Sequence, residues 1–191
     1  RYTAPGSAVR NDMQVTLSHT GSPPATRFYA ALMRPQSRGT LRLTDRRANA
    51  APDIRLNLAS DPEDRRRLGE GIRLLCELVR SPQLAPYHAQ TVLLNDGRIL
   101  PVEEALAALA SREASEMYVQ QTVRHYVHPV GTARMGPEGD VGAVVDQYCR
   151  VRGVDNLRVV DASVMPNIPR ANTNLTCIMI GERVADWMRA E

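Results

Sequence analysis

The chain has 191 residues, 43% of them hydrophobic, enough for one domain or a small pair with a real core. Its net charge is +3, and its 24 basic residues, all arginine, are dispersed among 21 acidic ones, so no nucleic-acid-binding patch is indicated. No stretch approaches the ~20 apolar residues that span a bilayer, and the N-terminus lacks the apolar core of a secretory signal.

Strands are expected at residues 13 to 19, 26 to 33, 39 to 44 and 53 to 59. Leu41 and Leu43, then Ile54, Leu56 and Leu58, alternate with polar residues in the period-two pattern of a half-buried antiparallel sheet. GSPP, PQSRG and residues 49 to 52 supply the turns. A helix follows, with Ser60 and Glu63 as a capping box, Pro62 in the first turn, and Leu68, Ile72, Leu75 and Val79 on one face. Within it Arg65, Arg66 and Arg67 read as a solvated face. Ser81-Pro82 stops the helix, and TVLLNDGRIL reads as a hairpin around Asn95-Asp96-Gly97. One helical stretch is expected from Pro101 to Val123, with Val102, Leu106, Leu109 and Val119 turned inward. Two strands are expected around Gly153 to Asn156, and a last helix from about Asn174 to Met188 with Leu175, Ile178, Met179 and Trp187 in the core.

Cys76, Cys149 and Cys177 have no CxxC or Cys/His spacing, so no metal site is expected. Cys76 and Cys177 read as small core hydrophobes, and a reducing cytoplasm is the simplest setting.

The segment YVHPVGTARMG, residues 126 to 136, joins an imidazole to a proline and a small hydroxylated turn, which lets backbone run close to something bulky. A lone His-Pro pair is more often packing or surface than chemistry. Downstream, Asn172, Thr173, Asn174 and Thr176 form a polar cluster at the expected start of the last helix, an end that favours negative charge. His19 at a strand end and His88 in a Pro-rich connector read as surface residues. His125 is the competitor to His128 but lacks the PVGT turn.

Together with GAVVDQYCRVRGVDNLRVVDASVMP, NTNLTCIMIGERVADWM and the upstream strips MRPQSRGTLRLTD and APDIRLNLASDPEDRRRLGEGIRLL, this segment resembles the C-terminal part of the glucose-methanol-choline (GMC) flavin oxidoreductases. The likeness runs from about Met33 to the C-terminus. It implies an α+β fold: a mostly antiparallel substrate-domain sheet flanked by helices (residues 1–125), then a C-terminal segment (126–191) that completes an FAD-binding domain supplied mainly by other sequence. It also implies an alcohol oxidoreductase in which His128 takes the substrate hydroxyl proton, Asn172 orients the substrate oxygen, and hydride passes to flavin N5. Asp161 and Ala162 would approach the ribityl or phosphate part of FAD, and Thr173 and Asn174 the pyrimidine end of its ring system.

Two departures qualify the resemblance. The family's GxGxxG dinucleotide-binding turn is absent, so this chain is not expected to hold FAD alone. The expected partner is an N-terminal FAD-binding portion carrying that turn, as a separate chain or fragment. Arg1 in place of methionine suits a fragment or a processed chain. Val127 stands where a bulkier residue often precedes the family histidine. A small-molecule alcohol is the implied substrate. A flavin-containing hydroxynitrile lyase and a non-catalytic binding module descended from the family are the alternative readings.

Overall fold

The computed structural model describes residues 1–20, 25–87, 91–94 and 96–191. Its elements run β1 (Met13–Thr20), β2 (Ala25–Leu32), β3 (Thr40–Arg42), β4 (Asp53–Arg55), α1 (Pro62–Arg80), β5 (Thr91–Leu93), β6 (Ile99–Pro101), α2 (Val102–Ala108), α3 (Arg112–Thr122) and α4 (Asn174–Arg189). The chain divides into two compact units, residues 1–39 with 56–125 and residues 40–55 with 126–191. Among the described residues no helix is long and apolar enough to cross a membrane.

Mixed α and β structure with antiparallel pairing agrees with the sequence expectation, but the described strands form three separate two-stranded ladders, β1-β2, β3-β4 and β5-β6. In the first unit the long hairpin runs from Met13 opposite Leu32 to Thr20 opposite Ala25. Helix α1 packs on β2 and on α3. Gly71 permits the close approach to the hairpin, since a Cβ there would lie 2.8 Å from the Ala30 Cβ and 3.1 Å from the Met13 Cε.

Two corrections fall on α1. Its N-cap is Asp61, whose carboxylate accepts the Glu63 N–H at 2.8 Å, so the capping box on Ser60 does not form. The arginine cluster is not a solvated face: Arg67 is fully buried and Arg66 largely so. The Arg67 guanidinium donates to Asp12 at 3.0 Å and to Asp64 at 2.7 Å. Asp12 also accepts from the Ala4 N–H and the Ser7 hydroxyl, and Asp64 from the N–H groups of Gln36 and Ser37 and the Ser37 hydroxyl. Each buried charge is thereby paired and hydrogen-bonded, the condition under which such groups are tolerated. This network ties the N-terminal segment and the PQS turn to α1.

The expected helix from residue 101 is two helices, because the Ser111 hydroxyl turns back to accept the Ala114 N–H and restarts the helix after Leu109 and Ala110. Val102, Leu106, Leu109 and Val119 are buried as expected. The hairpin around Asn95-Asp96-Gly97 forms with Leu93 opposite Ile99, although Asn95 itself, the GSPP turn and His88 lie outside the described residues. The strands expected at 39 to 44 and 53 to 59 shrink to three residues each. Asn57 (φ 51°) and Ala59 (φ 50°) take left-handed backbone that no strand continues through. Leu41, Leu43, Ile54, Leu56 and Leu58 are exposed, so alternation here does not mark a face covered within this chain.

In the second unit, the two strands expected around Gly153 reduce to isolated bridges, Val145 with Val151 and Arg150 with Arg158. Left-handed Cys149, Gly153 and Asn156 interrupt the extended backbone. The core consists of Val145, Cys149, Val164 and Val184, with Met135, Val151, Val159, Ile180 and Trp187 packed around it. Cys149, rather than Cys76 or Cys177, is the buried thiol, and burial pushes its pKa up. Helix α4 spans the expected residues but turns Val184, Ile180 and Trp187 to the core. Leu175, Ile178 and Met179, expected inside, are exposed at 77%, 54% and 55%. Apolar periodicity marked two faces of α4, and this chain covers one.

Candidate active site

Residues 126 to 136 run as an irregular strip, bent at Val127 and turned at Thr132 and Ala133, that is held against residues 163 and 164. The Ala133 N–H donates to the Ser163 carbonyl at 3.0 Å and the Met135 N–H to the Val164 carbonyl at 2.8 Å. Gly131 makes the close approach possible at φ 90°, with the Met165 carbonyl oxygen 3.3 Å from where a Cβ would stand. Further along the strip, Arg134 grips Asp140 through two bonds of 2.6 and 2.8 Å, holding that carboxyl below the usual carboxylate range.

Asp161 is exposed, and its carboxylate accepts the Ser163 N–H at 2.8 Å together with the Ser163 hydroxyl. It thus caps the short 3-10 turn Ala162–Val164. Ala162 is half-buried in that turn, and the buried Val164 anchors it in the core. The same segment therefore carries both expected cofactor contacts, Asp161 and Ala162, and supports the histidine strip.

His128 is half-buried, whereas His125 is exposed. The His128 Nδ1 lies 3.1 Å from the Oγ1 of Thr173, and the Tyr126 ring meets the imidazole edge-on with centroids 5.7 Å apart. Val127 between them has φ 52°, an outlier for a β-branched residue. Nothing in the residues around Val127 announces this backbone.

Thr173 is the residue whose role sequence reasoning missed. It is the N-cap of α4 and is buried, yet its side chain makes no capping bond because the hydroxyl is turned to His128. A hydroxyl at an N-cap was legible as a helix signal, but its partner 45 residues away was not. Asn172 and Asn174 flank it and are exposed. The structure therefore brings His128 to the N-terminus of α4, with Asn172 one residue from its hydrogen-bond partner. The first N–H groups of an α-helix have no intrahelical acceptor, so this uncapped end suits an electron-rich group.

This constellation of a histidine strip, an Asp-Ala turn and a polar helix start accompanies a specific set of similarities. The family model described as GMC oxidoreductase matches residues 35–181. The 5-(hydroxymethyl)furfural oxidase of Methylovorus sp. (strain MP688) is 40% identical over 172 residues, 88% of this chain and 32% of that protein. The oxygen-dependent choline dehydrogenase of Paraburkholderia xenovorans (strain LB400) is 40% identical over 161 residues, 84% of this chain and 26% of that protein. Among solved structures, pyridoxine 4-oxidase from Mesorbium loti is similar with a TM-score of 0.74 at 26% identity, covering 88% of this chain and 30% of that one. A formate oxidase from Aspergillus oryzae RIB40, in a structure concerned with FAD modification, has a TM-score of 0.66 at 26% identity, covering 86% and 27%. The chain spans between 26% and 32% of the length of these two sequence relatives. With the family model matched from the PQSRG turn into α4, the chain belongs to the GMC oxidoreductase family.

Proposed function

We propose that this chain is the C-terminal, substrate-facing portion of an FAD-dependent alcohol oxidoreductase, an oxidase or a dehydrogenase. The rest of the enzyme, including a GxGxxG turn, comes from sequence outside this chain, as a separate chain or as the remainder of a longer one. The observation that carries this reading is the bond between His128 and Thr173, which holds an imidazole at the uncapped start of α4 beside Asn172.

Oxidising an alcohol removes a hydroxyl proton and a pair of electrons from carbon. His128 takes the proton at Nε2, the ring nitrogen that is not engaged with Thr173. The Asn172 amide, which cannot act as a base, hydrogen-bonds the hydroxyl oxygen and orients it. FAD, when bound, supplies the two-electron acceptor. Asp161 and Ala162 would hold its ribityl or phosphate portion, and Thr173 and Asn174 the pyrimidine end of its ring. The positive end of α4 would favour the electron-rich side of that ring. The exposed Leu175, Ile178 and Met179 of α4 supply an apolar face on which the remainder of an FAD domain would close.

The sequence relatives above are named as an oxidase and a dehydrogenase, which favours oxidation over the lyase alternative. The test uses the full-length, flavin-loaded protein. Its flavin absorbance should bleach with an alcohol from a broad panel. His128→Ala should keep the bound flavin and lose about 10²- to 10⁴-fold in reduction rate. Failure to bleach with every alcohol, together with normal turnover by His128→Ala on any substrate later found, would overturn the assignment.

A further inference from the structure

We infer that Thr173 is the positioning residue that sets the tautomer of His128: its Oγ1 accepts the Nδ1 proton, leaving the lone pair on Nε2. The inference rests on the reading of His128 as the base, and it moves the Thr173 side chain from the cofactor to the imidazole.

Three observations converge on this role. The Nδ1 to Oγ1 distance of 3.1 Å is a hydrogen bond, and Thr173 is 8% exposed, so water has little access to compete for its hydroxyl. A threonine at an N-cap ordinarily gives its oxygen to a first-turn N–H, a bond that this one forgoes. Its backbone is already helical, at φ −77° and ψ −14°, and the β-branched side chain is stiff at χ1, so the hydroxyl is held where it lies.

A neutral imidazole has one N–H and one lone pair, and the bond at one nitrogen decides which remains at the other. If the Thr173 hydroxyl donated to Nδ1, Nε2 would carry the proton and could not accept another from a substrate hydroxyl. With Oγ1 accepting, Nε2 is the open acceptor. When His128 takes the substrate proton, the same Nδ1–H···Oγ1 bond persists and is strengthened by the charge on the ring. Tyr126 against the ring edge and the constrained backbone at Val127 limit the alternative ring orientations.

The experiment uses the full-length enzyme labelled with ¹⁵N in histidine, with His128→Gln to assign the His128 resonances. The wild-type protein should show a pyrrole-type, protonated Nδ1 and a pyridine-type Nε2. In Thr173→Val, which keeps the shape and removes the hydroxyl, the two tautomers should mix. The flavin-reduction rate of Thr173→Val should fall about 10- to 100-fold with KM little changed. Thr173→Ser, which retains the hydroxyl, should recover most of the rate and the wild-type resonances. A pyridine-type Nδ1 in the wild-type protein overturns the inference, whatever the variants do. So does a Thr173→Val protein with unchanged tautomer and rate. Full activity of His128→Gln would instead remove the proposed base, a failure the ¹⁵N spectrum of the wild type distinguishes from a failure of the Thr173 role.

Discussion

Arg67 on α1 and Asp12, just ahead of β1, form a fully buried ion pair at 3.0 Å, 55 residues apart in sequence. Asp64, one helical turn before Arg67, completes the set at 2.7 Å, so one guanidinium pairs with two buried carboxylates. Arg67→Ala should therefore cost about 3–5 kcal/mol, because it strands buried charge rather than merely removing a bond. Urea denaturation of the full-length protein checks this. A loss under about 1 kcal/mol would place the pair with ordinary surface ion pairs.

The same pair predicts acid sensitivity. Burial works to raise the Asp12 carboxyl, but hydrogen bonds from Ser7, the Ala4 N–H and Arg67, with the Arg67 charge, outweigh it and hold the pKa below the ordinary 3.8. A carboxyl whose folded pKa is depressed contributes stability above its unfolded value and loses that contribution as pH falls through the folded one. Denaturation midpoints should thus fall as pH drops below about 4. Asp12→Asn should be less stable at neutral pH and show a flatter acid limb. An Asp12→Asn protein with the same acid limb as wild type would assign the effect to other groups.

Gly71→Ala is expected to destabilise by about 1–3 kcal/mol, since the new methyl meets Ala30 at 2.8 Å and Met13 at 3.1 Å with β1 and β2 behind them. Helix propensity alone favours alanine at a helix interior by close to 1 kcal/mol, so the two effects have opposite signs. A stabilised Gly71→Ala protein in thermal unfolding would show that α1 can lift off the hairpin at little cost.

Val127→Asn should leave the protein as stable or raise its stability by about 1 kcal/mol. Asparagine tolerates the left-handed backbone that valine occupies at φ 52°, and Val127 is 69% exposed, so little packing is lost. Thermal unfolding reads the sign. A loss above 1 kcal/mol would mean that the valine side chain has a packing role that outweighs its backbone strain.

Gly131→Ala tests the support of the site without touching His128. At φ 90° an alanine is strained, and its methyl would press the Met165 carbonyl at 3.3 Å. The expected result is a loss of flavin-reduction rate larger than the loss of stability, because the strip shifts against residues 161 to 165 while the Val145, Cys149, Val164 and Val184 core persists. Equal activity in Gly131→Ala and wild type would show that the strip's path does not govern the histidine.

Local signals in the sequence determined much of this molecule. The β1-β2 hairpin, α1 with Pro62 in its first turn, the start of α4 and the inward Val102, Leu106, Leu109 and Val119 were legible because turn chemistry, caps and periodicity act within a few residues. The motif strips likewise identified the family and singled out His128 and Asn172.

Tertiary structure decided what those signals could not. Arg67 looked like part of a solvated arginine face, since nothing local distinguishes a buried guanidinium from an exposed one until Asp12 arrives from 55 residues away. Leu175, Ile178 and Met179 looked like core, since periodicity records that a face is apolar but not which polypeptide covers it. Thr173 looked like a helix cap or a cofactor contact, and only the fold, by carrying the histidine strip to the start of α4, turned its hydroxyl toward His128. Charge pairing, face coverage and the hydrogen-bond partner of the His128 imidazole all depend on residues far apart in the chain, so they exist only once the chain has folded.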